Sequence, residues 1–158
     1  MTAFVPLAHL DTWALSSSLR SKLSSFDSEG VYQAREGDRW MAEVRKEWTA
    51  LWNVCARIRQ HPAAKEWELG SVWIEALAPH TESTWRPSPT DCQEAQMAIT
   101  TNPAAFVFCG PNVLHFPIGA LIALDAAPRC AVNWGDWPRH HLVLEFRRQE
   151  AEENALAS

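Results

Sequence analysis

The chain has 158 residues, 47% of them hydrophobic, and a formal net charge of −5. This size and apolar content predict one domain that buries its core without disulfide or metal cross-links. The acidic balance and the lack of a basic cluster argue against a nucleic-acid partner. No apolar run approaches the roughly 20 residues of a membrane helix, so we expect no membrane partner. The N-terminus does not resemble a signal peptide and the four cysteines form no Cys-x-x-Cys pair, so we expect a cytoplasmic protein with free thiols.

The first third of the sequence has helical signals. Residues 11–23 predict a short helix with Asp11 as its N-cap, whereas the polar residues 24–37 predict a loop. Over residues 38–60 an apolar stripe recurs every three or four positions, which predicts an amphipathic helix that ends before Pro62. We expect this helix to pack across the outside of a sheet. The stripe consists of Trp40, Val44, Trp48, Trp52 and Cys55.

After Pro62 the apolar period changes from helical to alternating. Seven short runs separated by Gly, Pro and Asn turns predict a mainly β domain of the jelly-roll kind. We expect one domain over residues 1–150, with a helical flank over residues 1–65 and a β core over residues 70–148, followed by a frayed tail at residues 149–158. The predicted strands are residues 71–78, 95–101, 104–109, 112–117, 120–125, 129–134 and 139–147.

Short motifs follow one another in this β region, namely His80-x-Glu82, Thr101-Asn102-Pro103, His115-Phe116-Pro117-x-Gly119 and Asn133-x-Gly135-Asp136. In this order they resemble those of the aspartyl/asparaginyl β-hydroxylase family of iron(II)/2-oxoglutarate oxygenases. The resemblance covers about seventy residues in matching order, and it implies a cupin-like double-stranded β-helix. It also implies that His80 and Glu82 stand for the His-x-Asp pair of the family's metal site. The further matching segments are residues 94–96 with 101–103, residues 115–119, residues 129–136 and residues 139–142.

Two functional positions of that family have different chemistry here. The distal histidine of the metal triad is replaced by Arg129, whose guanidinium has no lone pair to offer a metal. A family arginine that helps to hold 2-oxoglutarate aligns with Glu94, which reverses the charge. His80 and Glu82 remain, and so does Arg139, whose family counterpart binds the co-substrate.

We therefore predict that an ion pair replaces the metal. Arg129 and Glu82 would form a bidentate pair that neutralises the cavity. Other ligands stay open, because a one-residue shift of the strand would aim a thiolate inward and histidines lie on nearby strands. Of two consecutive histidines, only one can point inside. These alternative donors are Cys130, His115, His140 and His141.

The leading hypothesis is a small-molecule enzyme that keeps the barrel and needs no cofactor. Positioned acid–base groups would catalyse an isomerisation, elimination or cyclisation of an anionic substrate. The abundance of aromatic residues suggests an apolar or extended substrate such as a natural-product intermediate. The predicted catalytic residues are His80, Glu82 and Glu94, and the predicted substrate-binding residues are Arg129, Arg139, Trp85 and Trp134.

Two alternatives come from other classes. In the first, the protein is an iron(II)/2-oxoglutarate hydroxylase of an amino acid or peptide, with His80, Glu82 and one unpredicted ligand on the metal and Arg139 on the co-substrate. In the second, it is a binding module that uses a Trp-rich pocket without catalysis. An exposed Trp-lined edge would also favour a homodimer.

Overall fold

The computed structural model describes residues 4–22 and 30–148, and the secondary structure there is mainly β. The strands form two sheets, and the helices lie in the first half of the chain. In chain order the elements are β1 (Phe4–His9), α1 (Trp13–Lys22), β2 (Gly30–Glu36), β3 (Arg39–Trp40), α2 (Ala42–Glu47), α3 (Thr49–Gln60), a 3₁₀ turn (Pro62–Ala64), β4 (Trp67–Leu77), β5 (Thr81–Glu82), β6 (Gln93–Thr100), β7 (Ala105–Cys109), β8 (Asn112–Leu114), β9 (Ala120–Leu124), β10 (Arg129–Asn133) and β11 (Arg139–Arg148).

The two sheets face each other. The larger has the order β1-β9-β6-β11-β4-β2-β3 and the smaller has the order β5-β10-β7-β8, with antiparallel pairing in both. Apolar side chains meet between them, where Ala98 and Ile122 of the larger sheet pack with Val107 and Cys109 of the smaller. The mainly β, two-sheet architecture predicted from the sequence is therefore confirmed.

The larger sheet has a second core on its other face, because neighbouring strand residues point to opposite sides. There Ile74 of β4 and Leu142 of β11 pack against the helices, so the helices lie outside the barrel as predicted. The predicted helix over residues 11–23 is confirmed as α1. The helical residues buried in this core are Leu15, Leu19, Val44, Leu51, Val54, Cys55 and Ile58; Trp48, between α2 and α3, is buried with them, and Trp40 and Trp52 pack partly against them.

The helix predicted over residues 38–60 is interrupted. β2 and β3 form a hairpin around Gly37, whose φ of 61° is a conformation that glycine adopts without steric cost. Further on, Trp48 leaves the helical conformation (φ −114°, ψ 67°) and separates α2 from α3. Its indole nitrogen donates to Ser18 Oγ at 2.8 Å, so the residue between α2 and α3 is bound to α1.

Two further predictions for the N-terminal region need correction. The loop predicted over residues 24–37 is wrong in its second half, because β2 pairs there with β4, and β1 was not predicted at all. The flank is therefore a mixture of helices and strands. Residues 24–29 and the tail predicted to fray lie outside the described residues. None of the helices described is long and apolar enough to span a membrane.

Candidate functional site

Arg129 faces the interior of the barrel at one end. It is the first residue of β10 and pairs in register with Cys109, which belongs to the interior apolar cluster, so both side chains lie on the inner face. Only 2% of the Arg129 side chain is exposed. A guanidinium at this depth needs a compensating anion.

That anion is Glu94, the second residue of β6. Its two carboxylate oxygens accept a bidentate pair of hydrogen bonds from Arg86, both at 2.7 Å, and Arg129 Nη1 lies 3.3 Å from Oε2. Gln96 Nε2 also donates to Oε2 at 2.8 Å. We call Arg86, Glu94 and Arg129 the mouth cluster. Its two guanidiniums and one carboxylate leave a formal charge of +1.

The electrostatics of the mouth cluster keep Glu94 ionised. Burial by itself would raise the pKa of this carboxyl, but the hydrogen bonds and charge of Arg86, together with Gln96 and Arg129, outweigh it, so the net pKa is lowered. The same pair raises the pKa of Arg86 against the effect of burial. A carboxylate with a lowered pKa is a weak proton acceptor at neutral pH, so the contacts of Glu94 do not favour the predicted catalytic role.

Arg129 also holds the turn between β9 and β10. Its Nε and Nη2 donate to the carbonyl of Ala127 at 3.2 and 3.0 Å, and Nη2 donates to the carbonyl of Asp125 at 2.9 Å. These bonds use Nε and Nη2, whereas Nη1 is buried and has no hydrogen-bond partner within the described residues. Arg129 thus anchors the turn at the barrel end, and Nη1, which lies 3.3 Å from Glu94 Oε2, is the group left for the substrate-binding role predicted from the sequence.

The predicted ion pair between Arg129 and Glu82 does not form. Glu82 pairs in register with Val132, three residues after Arg129 on β10. Because neighbouring strand residues point to opposite sides, Val132 and Glu82 lie on the outer face of the smaller sheet. Its Oε1 accepts a hydrogen bond from Trp134 Nε1 at 3.0 Å. His80 lies 3.1 Å from the Asp136 carboxylate, also on the outside.

The donors in this region do not fit an iron ion. In residues 4–22 and 30–148, no group of three or more His, Cys, Asp and Glu side chains is placed to hold a metal. His80 and Glu82 contact outer-face partners, and the inward residue at the start of β10 is Arg129, which has no lone pair to offer a metal. The alternative donors do not converge either. His115 contacts the Ala105 carbonyl and His141 contacts Gln96, while Cys130 shares the outer face with its register partner Phe108.

Arg139 lies inside the barrel towards its other end. Its side chain is 0% exposed, and Nη2 donates to Glu75 Oε1 at 2.7 Å. Nε and Nη1 are buried and have no hydrogen-bond partner within the described residues. Burial lowers the pKa of Arg139, and the nearby Glu75 opposes that effect. Two buried nitrogens of one guanidinium that both have N–H donors to offer are an arrangement that an oxyanion satisfies.

A polar chain runs from the mouth cluster into the barrel. Gln96 donates to Glu94 and its Oε1 lies 2.9 Å from His141 Nδ1, which therefore carries the proton of that contact. Of the two consecutive histidines, His141 is the buried one, in agreement with the alternation rule. Burial, together with the positive charge of Arg139, lowers the pKa of His141 well below its usual value, so the ring is neutral.

The two tryptophans predicted to bind substrate are on the outside. Trp85 is 56% exposed and Trp134 is 50% exposed. Phe108 contacts both of them, with ring centroids 6.4 Å apart in each case, and Phe106 lies 5.9 Å from Trp134. We call this set the outer aromatic face. Neither tryptophan lines the barrel interior, so an internal Trp-rich pocket built from them is not formed.

A cleft of about 680 Å³ opens beside the mouth cluster. It lies where β6 and β10 begin and where β9 and β11 end, and we call it the mouth cleft. Both signs of charge line it, so it suits a polar ligand better than an apolar one. Its charged lining residues are Asp91, Glu94, Asp125, Arg129, Arg147 and Arg148.

Sequence reasoning missed Arg86, Gln96 and Glu75. One signal was present for Gln96, because two polar residues alternate with apolar ones at the start of the strand QEAQMAIT. Polar residues at inward positions predict a buried network. Arg86 and Glu75 had no comparable signal, since their roles depend on which strand lies opposite.

No family model matches the chain, and no curated protein matches it by sequence. Solved structures do match. The viral collagen prolyl hydroxylase of Paramecium Bursaria Chlorella virus-1, solved as a 2-oxoglutarate complex, is 8% identical with a TM-score of 0.66, over 93% of this chain and 97% of that one. An oxidoreductase of the 2-oxoglutarate–Fe(II) oxygenase family from Burkholderia pseudomallei is 13% identical with a TM-score of 0.67, over 93% of this chain and 85% of that one.

A third match is HygX from Streptomyces hygroscopicus with nickel and 2-oxoglutarate bound, at 8% identity and a TM-score of 0.63, over 94% of this chain and 83% of that one. These structures define the class of fold as the double-stranded β-helix of 2-oxoglutarate–iron(II) oxygenases, which confirms the fold implied by the sequence resemblance. At such low identity the likeness extends to the fold alone. The narrower assignment to the aspartyl/asparaginyl β-hydroxylases stays a prediction.

Proposed function

We propose that this protein is a metal-independent barrel that binds a small anionic molecule. The observation on which this depends is the mouth cluster, in which Arg86 and Arg129 enclose the Glu94 carboxylate at the end of the barrel. A cation at the position of the family's distal histidine would repel a metal dication placed beside it. The sequence-based hypothesis of a degenerate iron site is thus supported, with Glu94 rather than Glu82 as the partner of Arg129.

The anionic character of the ligand follows from the arginines that are not fully paired. Arg139 has two buried nitrogens, Nε and Nη1, without a hydrogen-bond partner among the described residues, and a buried polar group left unsatisfied costs roughly 1–3 kcal/mol unless a ligand or water accepts its hydrogen bond. Arg147 and Arg148 are exposed and line the mouth cleft. A carboxylate on the ligand would accept hydrogen bonds from Arg139 or be attracted by the charges of Arg147 and Arg148. Arg139 would also suit 2-oxoglutarate, as the family resemblance implies.

Acid–base catalysis within this barrel would need groups other than those predicted. His80 and Glu82 lie on the outer face, and Glu94 is held as an ion by two guanidiniums. The isomerase, lyase or cyclase hypothesis therefore depends on a proton-exchanging residue near the mouth cleft.

Metal content tests the metal-independent part of the proposal. We would measure iron by elemental analysis after anaerobic reconstitution with Fe(II), for the wild-type protein and for Arg129→His. We expect far less than one iron per chain in both, because restoring the histidine does not turn His80 and Glu82 inward. Near-stoichiometric iron in the wild-type protein that is lost in His80→Ala would instead show a variant oxygenase.

Calorimetric titration tests the anion-binding part. The probes are succinate and 2-oxoglutarate at low ionic strength, with choline as a cationic control. We expect binding of the dicarboxylates that weakens at least tenfold in Arg139→Gln, since the loss of a charge-assisted hydrogen bond removes roughly 1.5–3 kcal/mol. Lys46→Gln, on the exposed end of α2, is the matched charge control. Equal affinity in Arg139→Gln would place the anion elsewhere, and no binding of either dicarboxylate would contradict the proposal.

A further inference from the structure

The outer aromatic face is a group of touching rings that stays exposed on the smaller sheet. Phe108 of β7 lies at its centre, because Trp85 reaches it from the loop after β5 and Trp134 reaches it from the end of β10. Phe106 extends the group along β7. Both indoles are at least half exposed. Exposed aromatic rings that touch one another inside a polar rim are typical of interaction sites.

Two carboxylates border this face, and neither is paired with an arginine or a lysine. Glu82 accepts the hydrogen bond of the Trp134 indole at 3.0 Å, so the ring is held beside a negative charge. Asp136, two residues after Trp134, lies 3.1 Å from the His80 ring. The ion pairs among the residues that the structure describes do not join either carboxylate to an Arg or Lys side chain.

The smaller sheet has no arginine or lysine on its outer side within the described residues. Its strands and their adjoining loops contain only two such residues, Arg86 and Arg129, and both bind Glu94 on the inner side. The outer side therefore combines aromatic rings with negative charge alone, although it belongs to a sheet that has cations on its other face. The segments concerned are residues 79–86, 104–119 and 129–138.

Two other tryptophans of this protein have the kind of partner that the outer indoles lack. The guanidinium of Arg35 lies 5.4 Å from the centre of the Trp40 ring, and that of Arg148 lies 5.6 Å from the centre of the Trp67 ring. A cation in this position is attracted by the negative face of the indole. Over the described part of the chain, no arginine or lysine is placed in this way on the two outer indoles.

We propose that the outer aromatic face docks an arginine-containing segment of a partner protein. The guanidiniums of that segment lie on the exposed indoles and pair with the carboxylates of Glu82 and Asp136, so ring and charge attract the same group. Arginine fits better than lysine, because its planar group stacks on aromatic rings. A protein segment fits better than a small cation, because small-molecule sites are concave and these rings stand on an exposed sheet face. The inference does not depend on the proposed function, which concerns the inner side.

The test is a calorimetric titration with a short peptide of alternating arginine and glycine at low ionic strength. The same peptide with glutamate in place of arginine is the control of opposite charge. We expect the arginine peptide to bind, and its affinity to fall by roughly two- to fivefold in Trp134→Ala, as for the loss of one exposed contact between a cation and an indole. Trp13→Ala, which removes an exposed indole of α1, is the matched control and should leave the affinity unchanged.

A second variant separates the charge from the shape of the face. In Glu82→Gln the side chain can still accept the indole hydrogen bond, so we expect weaker binding of the arginine peptide and a smaller dependence on salt. Glu47→Gln, which removes an exposed charge at the end of α2, is its matched control. Trp85→Ala keeps the contact between Trp134 and Glu82, and it provides the ring variant if Trp134→Ala folds poorly.

Each outcome decides for or against the docking surface. No binding of the arginine peptide, equal binding of the glutamate peptide, or equal weakening by the control variants would overturn the proposal. A dimer that is lost in Trp134→Ala and that excludes the arginine peptide would show a second copy of the chain as the occupant, and would overturn it too. Binding that depends on Trp85, Trp134 and Glu82, but not on Trp13 or Glu47, supports it, whatever the result for succinate.

Discussion

The barrel mouth and the outer aromatic face share strand β10, but they have opposite chemistry. On the inner side Arg129 joins a buried cluster of two guanidiniums and one carboxylate. On the outer side Val132, three residues after Arg129 on the same strand, lies opposite Glu82. The half-exposed Trp134, just after the strand, donates a hydrogen bond to the carboxylate of Glu82. The residues that resemble a metal motif are thus on the outside, whereas the charges that would replace the metal are on the inside.

This difference shows how a motif can keep its order while its side chains change faces. Adjacent residues of a strand point to opposite sides, so a shift of one residue in register moves a whole motif from the interior to the surface. Ordered spacing in the sequence therefore does not reveal the face. Arg86, four residues after Glu82, provides the second guanidinium of the mouth cluster, and its backbone pairs with that of Arg129 through two hydrogen bonds of 2.9 and 3.0 Å.

Removing the Glu94 charge should lower the free energy of unfolding more than any other change, because it disrupts the ion cluster on the inner face and leaves the outer face intact. Glu94→Gln keeps the side-chain shape but leaves Arg129 buried without a counter-charge, so we expect a loss of roughly 3–5 kcal/mol in the free energy of unfolding. Glu82→Gln is the matched control on the outer face, where we expect less than about 1 kcal/mol. Urea denaturation at pH 7 measures both.

The pH dependence sharpens this result. The pKa of Glu94 is lowered in the folded state. Ionised Glu94 therefore contributes fully to the free energy of unfolding above the ordinary glutamate pKa of about 4.3, and this contribution is lost as the pH falls through the lower pKa of the folded state. The difference in the free energy of unfolding between the wild type and Glu94→Gln should therefore become smaller at acidic pH. Equal losses for Glu94→Gln and Glu82→Gln would contradict the assignment of the ion cluster to the inside.

The loop between β10 and β11 connects the two regions, and Gly135 is its most constrained residue. An added Cβ there would overlap the amide of Asn102, which donates to Asn133 Oδ1 at 2.9 Å and to the Trp137 carbonyl at 3.1 Å. We expect Gly135→Ala to destabilise the protein by about 3 kcal/mol through overpacking and lost hydrogen bonds. Thermal and urea unfolding would measure the loss.

A double-mutant cycle isolates the cause. In an Asn102→Ala background the overlap is relieved, so Gly135→Ala should cost clearly less than it does alone. Additive losses would show that the backbone conformation, and not the Asn102 contact, makes the glycine necessary. If the coupling is found, Gly135 is required by its packing against Asn102 in this loop.

His141 gives a smaller, pH-dependent effect inside the barrel. Its pKa is well below normal in the folded state because of burial and the nearby Arg139, so the unfolded chain binds a proton there first. Neutral His141 therefore does not reduce the free energy of unfolding above about pH 6.5. Below that pH the free energy of unfolding decreases by at most about 1.4 kcal/mol per pH unit, because the unfolded chain takes up the proton. Urea denaturation between pH 7.5 and 5.5 should show this slope in the wild type. An unchanged slope in His141→Gln would contradict the buried neutral histidine.

The sequence predicted the β core well and the site less well, for physical reasons. Strands from residue 71 onward follow from local alternation, which depends on neighbouring residues alone. Alternation does not give the interior position of Arg129, because all five residues of β10 are buried. Its partner could not be found in this way, because Glu94 is on another strand and Arg86 follows one, and only the register brings them together. Trp48 shows the same limit in the helices, because it lies within a regular apolar period and yet leaves the helical conformation.

The smallest expected effect is on the outer aromatic face. Trp134→Ala removes a half-exposed ring and the hydrogen bond to Glu82, so we expect a loss of about 1 kcal/mol and unchanged succinate binding. Sedimentation velocity on the wild type and this variant tests the homodimer predicted from the exposed tryptophans, which should dissociate more readily in the variant. A large fall in succinate affinity would mean that the ligand binds outside the barrel, where His80 and Glu82 lie, and would reverse the assignment of the two regions.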